Sequence, residues 1–98
     1  MQRSSPRRQR DLRGFGAHLR RWRRVNGTSA TEVADRASIT RETLRHIELG
    51  TGSPRPDSVF AVLAALGVTE AVLRGVNPYN NDAARARIDD ILNAGDEL

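Results

Sequence analysis

The sequence predicts an all-α fold, and three observations carry that expectation. Apolar residues recur at helical spacing in several short segments, and each segment is bracketed by residues that start or stop a helix. No stretch shows the two-residue alternation of a half-buried strand. With 98 residues, one small core is expected.

Residues 1–10 hold arginine, glutamine, serine and proline with hardly an apolar side chain, a composition that predicts a flexible, arginine-rich arm. From Leu12 a helical period begins. Phe15, Leu19 and Trp22 share one face, which makes Trp22 a core residue, and Arg20, Arg21 and Arg24 fall largely off that stripe. Asn26-Gly27 supplies a left-handed stop. Ser29-Ala30-Thr31-Glu32 has the capping-box pattern and starts a second helix with Val33, Ala34 and Ala37 inward. The chain then turns at Ser38. Thr40 caps a third helix, in which Leu44 and Ile47 form a narrow apolar stripe beside a wide polar face of Arg41, Glu42, Thr43, Arg45 and His46.

Residues 50–54 are rich in turn formers and break that helix. Pro56 suits the first position of a fourth, Asp57 complements its dipole, and Val59, Val62, Leu63 and Leu66 complete its stripe before Gly67 closes it. Phe60 lies off that stripe, open to a core or a dimerisation role. Thr69 caps a brief fifth helix through Leu73, ended by Gly75 and Asn77-Pro78. The last segment, Asp82 to about Asn93, sets Ala84, Ile88 and Ile91 or Leu92 along one side, too little to hold a helix alone in water, so it needs a partner surface. The expected organisation is an arm over residues 1–10, a helical domain over 11–75 and an extension over 76–98.

Charge adds a functional direction. The formal net charge is +4, and all sixteen cationic side chains are arginine, whose planar fork suits phosphate and guanine. Residues 1–24 carry a net +8, residues 25–81 a net −1 and residues 82–98 a net −3. Such asymmetry marks a nucleic-acid binder. With no cysteine, disulfides and thiolate metal sites are excluded, and His18 and His46 are too far apart for a local metal motif. Neither paired carboxylates on a cleft-forming scaffold nor a glycine-rich phosphate loop occurs, so the reading is a non-enzyme without cofactor. With no signal-like or membrane-length apolar run, it is also soluble and cytoplasmic.

Two short helices joined by a tight turn, with small Ala34 in the first and Ile39, Leu44 and Ile47 after it, fit the helix-turn-helix unit that places its second helix in the DNA major groove. At this point the chain resembles the phage repressor and Cro-like (Xre-type) family over roughly residues 15–68. The matching residues are Leu19-Arg20 with Arg23, Gly27, Glu32-Val33-Ala34, Ile39-Thr40-Arg41, Leu44, Ile47-Glu48, Gly50, Pro54 and Ala65-Leu66-Gly67-Val68.

The resemblance implies a five-helix, repressor-like domain and assigns roles. Arg41, Glu42 and His46 match base-reading positions, with Thr43 beside them. Arginine reads guanine bidentately and glutamate accepts from cytosine N4, each worth ~1–3 kcal/mol of discrimination. Glu42 could instead pair with Arg41 or Arg45. Ser29 and Thr40 match positions near the DNA backbone; from charge and placement rather than from the resemblance, Arg55 is expected to contact a phosphate or the minor groove, and the arm's Arg7, Arg8 and Arg10 to contact phosphates. Arg23 and Glu48 match an internal ion pair. Two departures stand out: Ala30 replaces the usual glutamine at the start of the second helix, and Ser38 replaces the usual turn glycine. A helix that reads few base pairs implies a homodimer on an inverted repeat of double-stranded DNA. The alternative is a protein-interaction module, such as an antitoxin or polymerase-associated regulator, whose residues 76–98 grip a protein partner.

Overall fold

A computed structural model describes residues 5–98, and all regular structure among them is helical. Six α-helices follow in order: α1 (Pro6–Val25), α2 (Ala30–Ala37), α3 (Arg41–Leu49), α4 (Pro56–Leu66), α5 (Thr69–Val76) and α6 (Asp82–Asn93), with a 3-10 turn at Pro78–Asn80 before α6. No single helix among them is long and apolar enough to cross a membrane. The chain divides into two units, one running to Val68 and one from Thr69 to Leu98. Helix α5 associates with the Pro78–Asn80 turn, which in turn packs on α6.

Helix α1 begins well before Leu12. Ser5 caps it, its Oγ accepting the Arg8 N–H at 3.1 Å, and Pro6 occupies the first turn. Arg7, Arg8 and Arg10 therefore sit on helical backbone. The expected flexible arm is corrected over residues 5–10, and residues 1–4 of it lie outside the described residues. The physical reason is propagation: once the body of α1 is packed, each added residue gains a backbone hydrogen bond without a new nucleation cost, and arginine and glutamine are good helix formers.

In the first unit α1 lies against α3 and α4, and α2 lies against α4 and α3. Leu19, Val33, Ala34, Leu44, Ile47, Val62, Leu63 and Leu66 are buried between them. Full burial, as at Leu44 and Leu63, stabilises by ~1.5–3 kcal/mol per side chain. Trp22 corrects the sequence expectation: it is 44% exposed, outside the core. The buried face of α1 centres between Leu19 and Gly16, and at 100° per residue Trp22 lies about 90° from that centre. Glycine carries no hydropathy signal, so counting apolar residues alone draws the face toward the tryptophan. Phe60 is likewise 44% exposed on α4.

Ser38 ends α2 in the left-handed region, at φ 55° and ψ 41°. A side chain there costs ~1–2 kcal/mol relative to an unstrained position. Ser38→Gly is accordingly expected to raise stability by ~1 kcal/mol, read as a higher urea midpoint at unchanged slope; a lower midpoint would contradict the strain.

In the second unit Asn81 caps α6, its side chain accepting the Ala84 N–H at 2.9 Å. Ile88 is buried and Ile91 half-buried, whereas Leu92 is exposed, which resolves which residue of that pair turns inward. The surface that α6 needs is thus supplied in part by the chain itself. Leu73, Val76, Tyr79 and Leu92 of this unit remain exposed.

Candidate nucleic-acid interface

The helix-turn-helix unit is α2, the turn through Ser38, and α3. Both helices are capped from within. Ser29 Oγ accepts the Glu32 N–H at 3.1 Å while the Ser29 N–H donates to the Glu32 carboxylate at 3.1 Å, completing the capping box. The Ser29 backbone N–H first, and the Ser29 hydroxyl second, act on the Glu32 carboxylate and hold the carboxyl below its ordinary titration range. Thr40 Oγ1 accepts the Thr43 N–H at 3.0 Å and donates to Thr43 Oγ1 at 2.9 Å, so two of the polar residues at the start of α3 orient each other.

Helix α3 is seated against α1 by two glycines and an ion pair. A Cβ on Gly16 would run into the backbone carbonyls of Ile47 and Glu48. Gly50, left-handed at φ 68°, closes α3, and a Cβ there would meet the backbone of Leu12 and Arg13. Arg23 then donates twice to Glu48, Nε to Oε2 and Nη2 to Oε1, both at 2.9 Å. The two side chains are 16% and 10% exposed. The hydrogen bonds to Glu48, opposed by partial burial and aided by the carboxylate charge, raise the Arg23 pKa. This fork-to-fork pair holds both charges near the protein surface in fixed geometry. Asn26 adds a tie at the other end of α1, its Nδ2 donating to the Leu66 carbonyl at 3.0 Å.

Arg41, Glu42 and Arg45 border an open cleft of about 590 Å³ together with Arg20, Arg23 and Glu48, floored by Leu44 and Leu49. Neither Arg41 nor Arg45 is in an ion pair among the described residues, and Arg41, Glu42 and Arg45 are all exposed. The pairing of Glu42 with Arg41 or Arg45 is not formed; its Oε1 lies 3.8 Å from His46 Nε2 instead. His46 sits apart from the cleft. Its Nδ1 lies 2.9 Å from Thr51 Oγ1, and the ring borders a small apolar hollow with Phe15, Ile47, Gly52 and Pro54. The loop after α3 thus holds the ring in place. Ala30 lines the cleft at the start of α2, and Arg55 is exposed immediately before α4 with no cap bond from its side chain. Of the three N-terminal arginines, helical spacing puts Arg8 on the meridian of Leu12, Phe15 and Leu19, Arg7 near that of His18 and Val25, and Arg10 on a third face.

Gly16, Asn26 and the placement of Arg20 and Arg45 along the cleft escape sequence reading. A glycine inside a helix is itself a signal, since it costs ~1 kcal/mol against alanine and asks for a packing reason. Asn26 reads only as a stop, because its side-chain partner lies forty residues away.

A family model described as a helix-turn-helix domain matches residues 15–75. The chain belongs to that family and carries a helix-turn-helix DNA-binding domain, consistent with the Xre-type resemblance. Neither the curated proteins nor the solved structures contain a match to the chain.

Proposed function

We propose that this protein is a cytoplasmic, sequence-specific transcriptional repressor or autoregulator that binds an inverted-repeat operator as a homodimer. The observation that carries the reading is the first half of α3: Arg41, Glu42 and Arg45 stand exposed along one cleft, on a helix fixed to its scaffold by Gly16, Gly50 and the Arg23–Glu48 pair. In this reading α3 enters the major groove. Arg41 takes guanine, Glu42 accepts from cytosine and Thr43 touches an adjacent base edge. His46, oriented by Thr51, presents Nε2 at the far end of the helix. Ser29, Thr40 and Arg55 approach phosphates, joined by Arg10 from α1.

Dimerisation is assigned to the exposed apolar residues Leu73, Val76 and Tyr79 of the second unit and to Phe60 on α4. Val76, Tyr79 and Leu92, exposed apolar side chains within residues 76–98, support a second reading, in which that segment holds a different protein, as in an antitoxin or a polymerase-associated regulator. Selection of binding sites from random duplex DNA with the intact protein, paired with sedimentation, tests the proposal. An inverted repeat and a dimer at working concentration are expected. Sequence-blind binding by a monomer would contradict it and direct attention to a protein partner.

A further inference from the structure

The continuation of α1 to Pro6 extends one face of the helix beyond the family match, which begins at residue 15. At 100° per residue, Arg10, Arg13, Arg20 and Arg24 fall within an arc of about 80° on one side of α1, with Ala17 between them. All four are exposed, and none is in an ion pair among the described residues. Arg21, at the margin of the arc, is drawn aside, its Nη1 lying 2.9 Å from His18 Nδ1. From Arg10 to Arg24 the stripe extends about 21 Å at 1.5 Å per residue, the axial length of about six base pairs.

Its position relative to α3 follows from the contacts between the two helices. Leu12 and Arg13 lie against Gly50, Gly16 against Ile47 and Glu48, and Arg20 borders the cleft with Arg41 and Arg45. The order of contacts runs in opposite senses along α1 and α3, so the stripe runs alongside the recognition helix. It joins the cleft at Arg20 and passes beyond the C-terminal end of α3 at Arg10.

We propose that Arg10, Arg13, Arg20 and Arg24 form a rigid track for the sugar-phosphate backbone of duplex DNA flanking the site that α3 reads. The inference rests on the DNA-binding reading above and deepens it. It replaces an unstructured arm, in which every arginine counts equally, with one helix face, in which position decides. Arg10 and Arg13 belong to the track; Arg7 and Arg8, two residues of equal charge on the same helix, do not.

That difference gives the test. Binding of random-sequence duplex is measured for wild type, Arg10→Ala/Arg13→Ala and Arg7→Ala/Arg8→Ala between about 50 and 200 mM salt. Removing one phosphate-neutralising side chain flattens the log–log salt dependence by about 0.9, so the track pair is expected to lower the slope by roughly 1.8 and the control pair to leave it unchanged. Both pairs replace exposed residues of a helix with its best former, and equal helicity by circular dichroism verifies that neither unfolds it. Equal flattening by the two pairs, or none by the track pair, overturns the track while DNA binding stands. Absence of wild-type binding to any duplex overturns the DNA-binding reading and the track with it.

Discussion

Gly16→Ala is expected to destabilise the first unit by ~2–3 kcal/mol, even though alanine is favoured over glycine inside a helix by ~1 kcal/mol. The added methyl has nowhere to go, since it meets the carbonyls of Ile47 and Glu48, which are backbone atoms committed to the last turn of α3. Relief requires α3 to move away from α1, and the Arg23–Glu48 pair stretches with it. Gly14 is the internal control. It is exposed on the same helix with nothing near its Cβ direction, so Gly14→Ala is expected to stabilise by ~0.5–1 kcal/mol. Denaturant unfolding of the two variants checks the contrast. Stabilisation by both would mean that α1 and α3 leave room for a methyl group between them.

Removing one half of the ion pair has a comparable expected effect. Arg23→Ala or Glu48→Ala leaves the other charge largely withdrawn from water with its hydrogen bonds unmade, at a cost of ~2–4 kcal/mol, somewhat below that of a fully buried pair because both groups keep some solvent contact. The double substitution removes the stranded charge and is expected to cost less than the sum of the single ones, by ~1–2 kcal/mol in a double-mutant cycle. Additive costs would show that the two side chains act independently. Each variant should also weaken specific DNA binding more than random-sequence binding, since the pair positions α3 and leaves the arginine surface intact.

Much of this arrangement is legible in the residues because its signals are local. The capping box at Ser29 and Glu32, the Thr40 cap, Pro56 at the start of α4 and Gly67 at its end each act within one turn of chain. The bonds they form are those that residue chemistry dictates. What escapes reading depends on distant partners or on the absence of a side chain. Trp22 is misplaced because half of the buried face of α1 is a glycine, Gly16, beside Leu19. Asn26 reaches Leu66 across the fold, and no spacing rule connects them. His46 looks like a free polar residue until Thr51 and Gly52 return beside its ring. The N-terminal segment shows the converse error. Ser5 and Pro6 form a helix start that is visible in the sequence, but composition alone suggests disorder, because it weighs the segment without the packed helix it extends.

Ser38 stands where the resemblance leads one to expect glycine, and the chain makes a left-handed turn there all the same. The departure predicts either strain or a shifted turn, and the chain adopts the strained conformation. The turn geometry between α2 and α3 is therefore held by packing around Val33, Ala34, Leu44 and Ile47, all buried, at the expense of one unfavourable residue.

Base reading by the first turn of α3 is tested by binding-site selection repeated with Arg41→Ala and compared position by position with wild type. The inverted repeat is expected to survive while one G·C pair in each half-site loses its preference, a discrimination of ~1–3 kcal/mol. An unchanged preference at every position would contradict this and remove Arg41, and with it the placement of α3, from the reading of the operator.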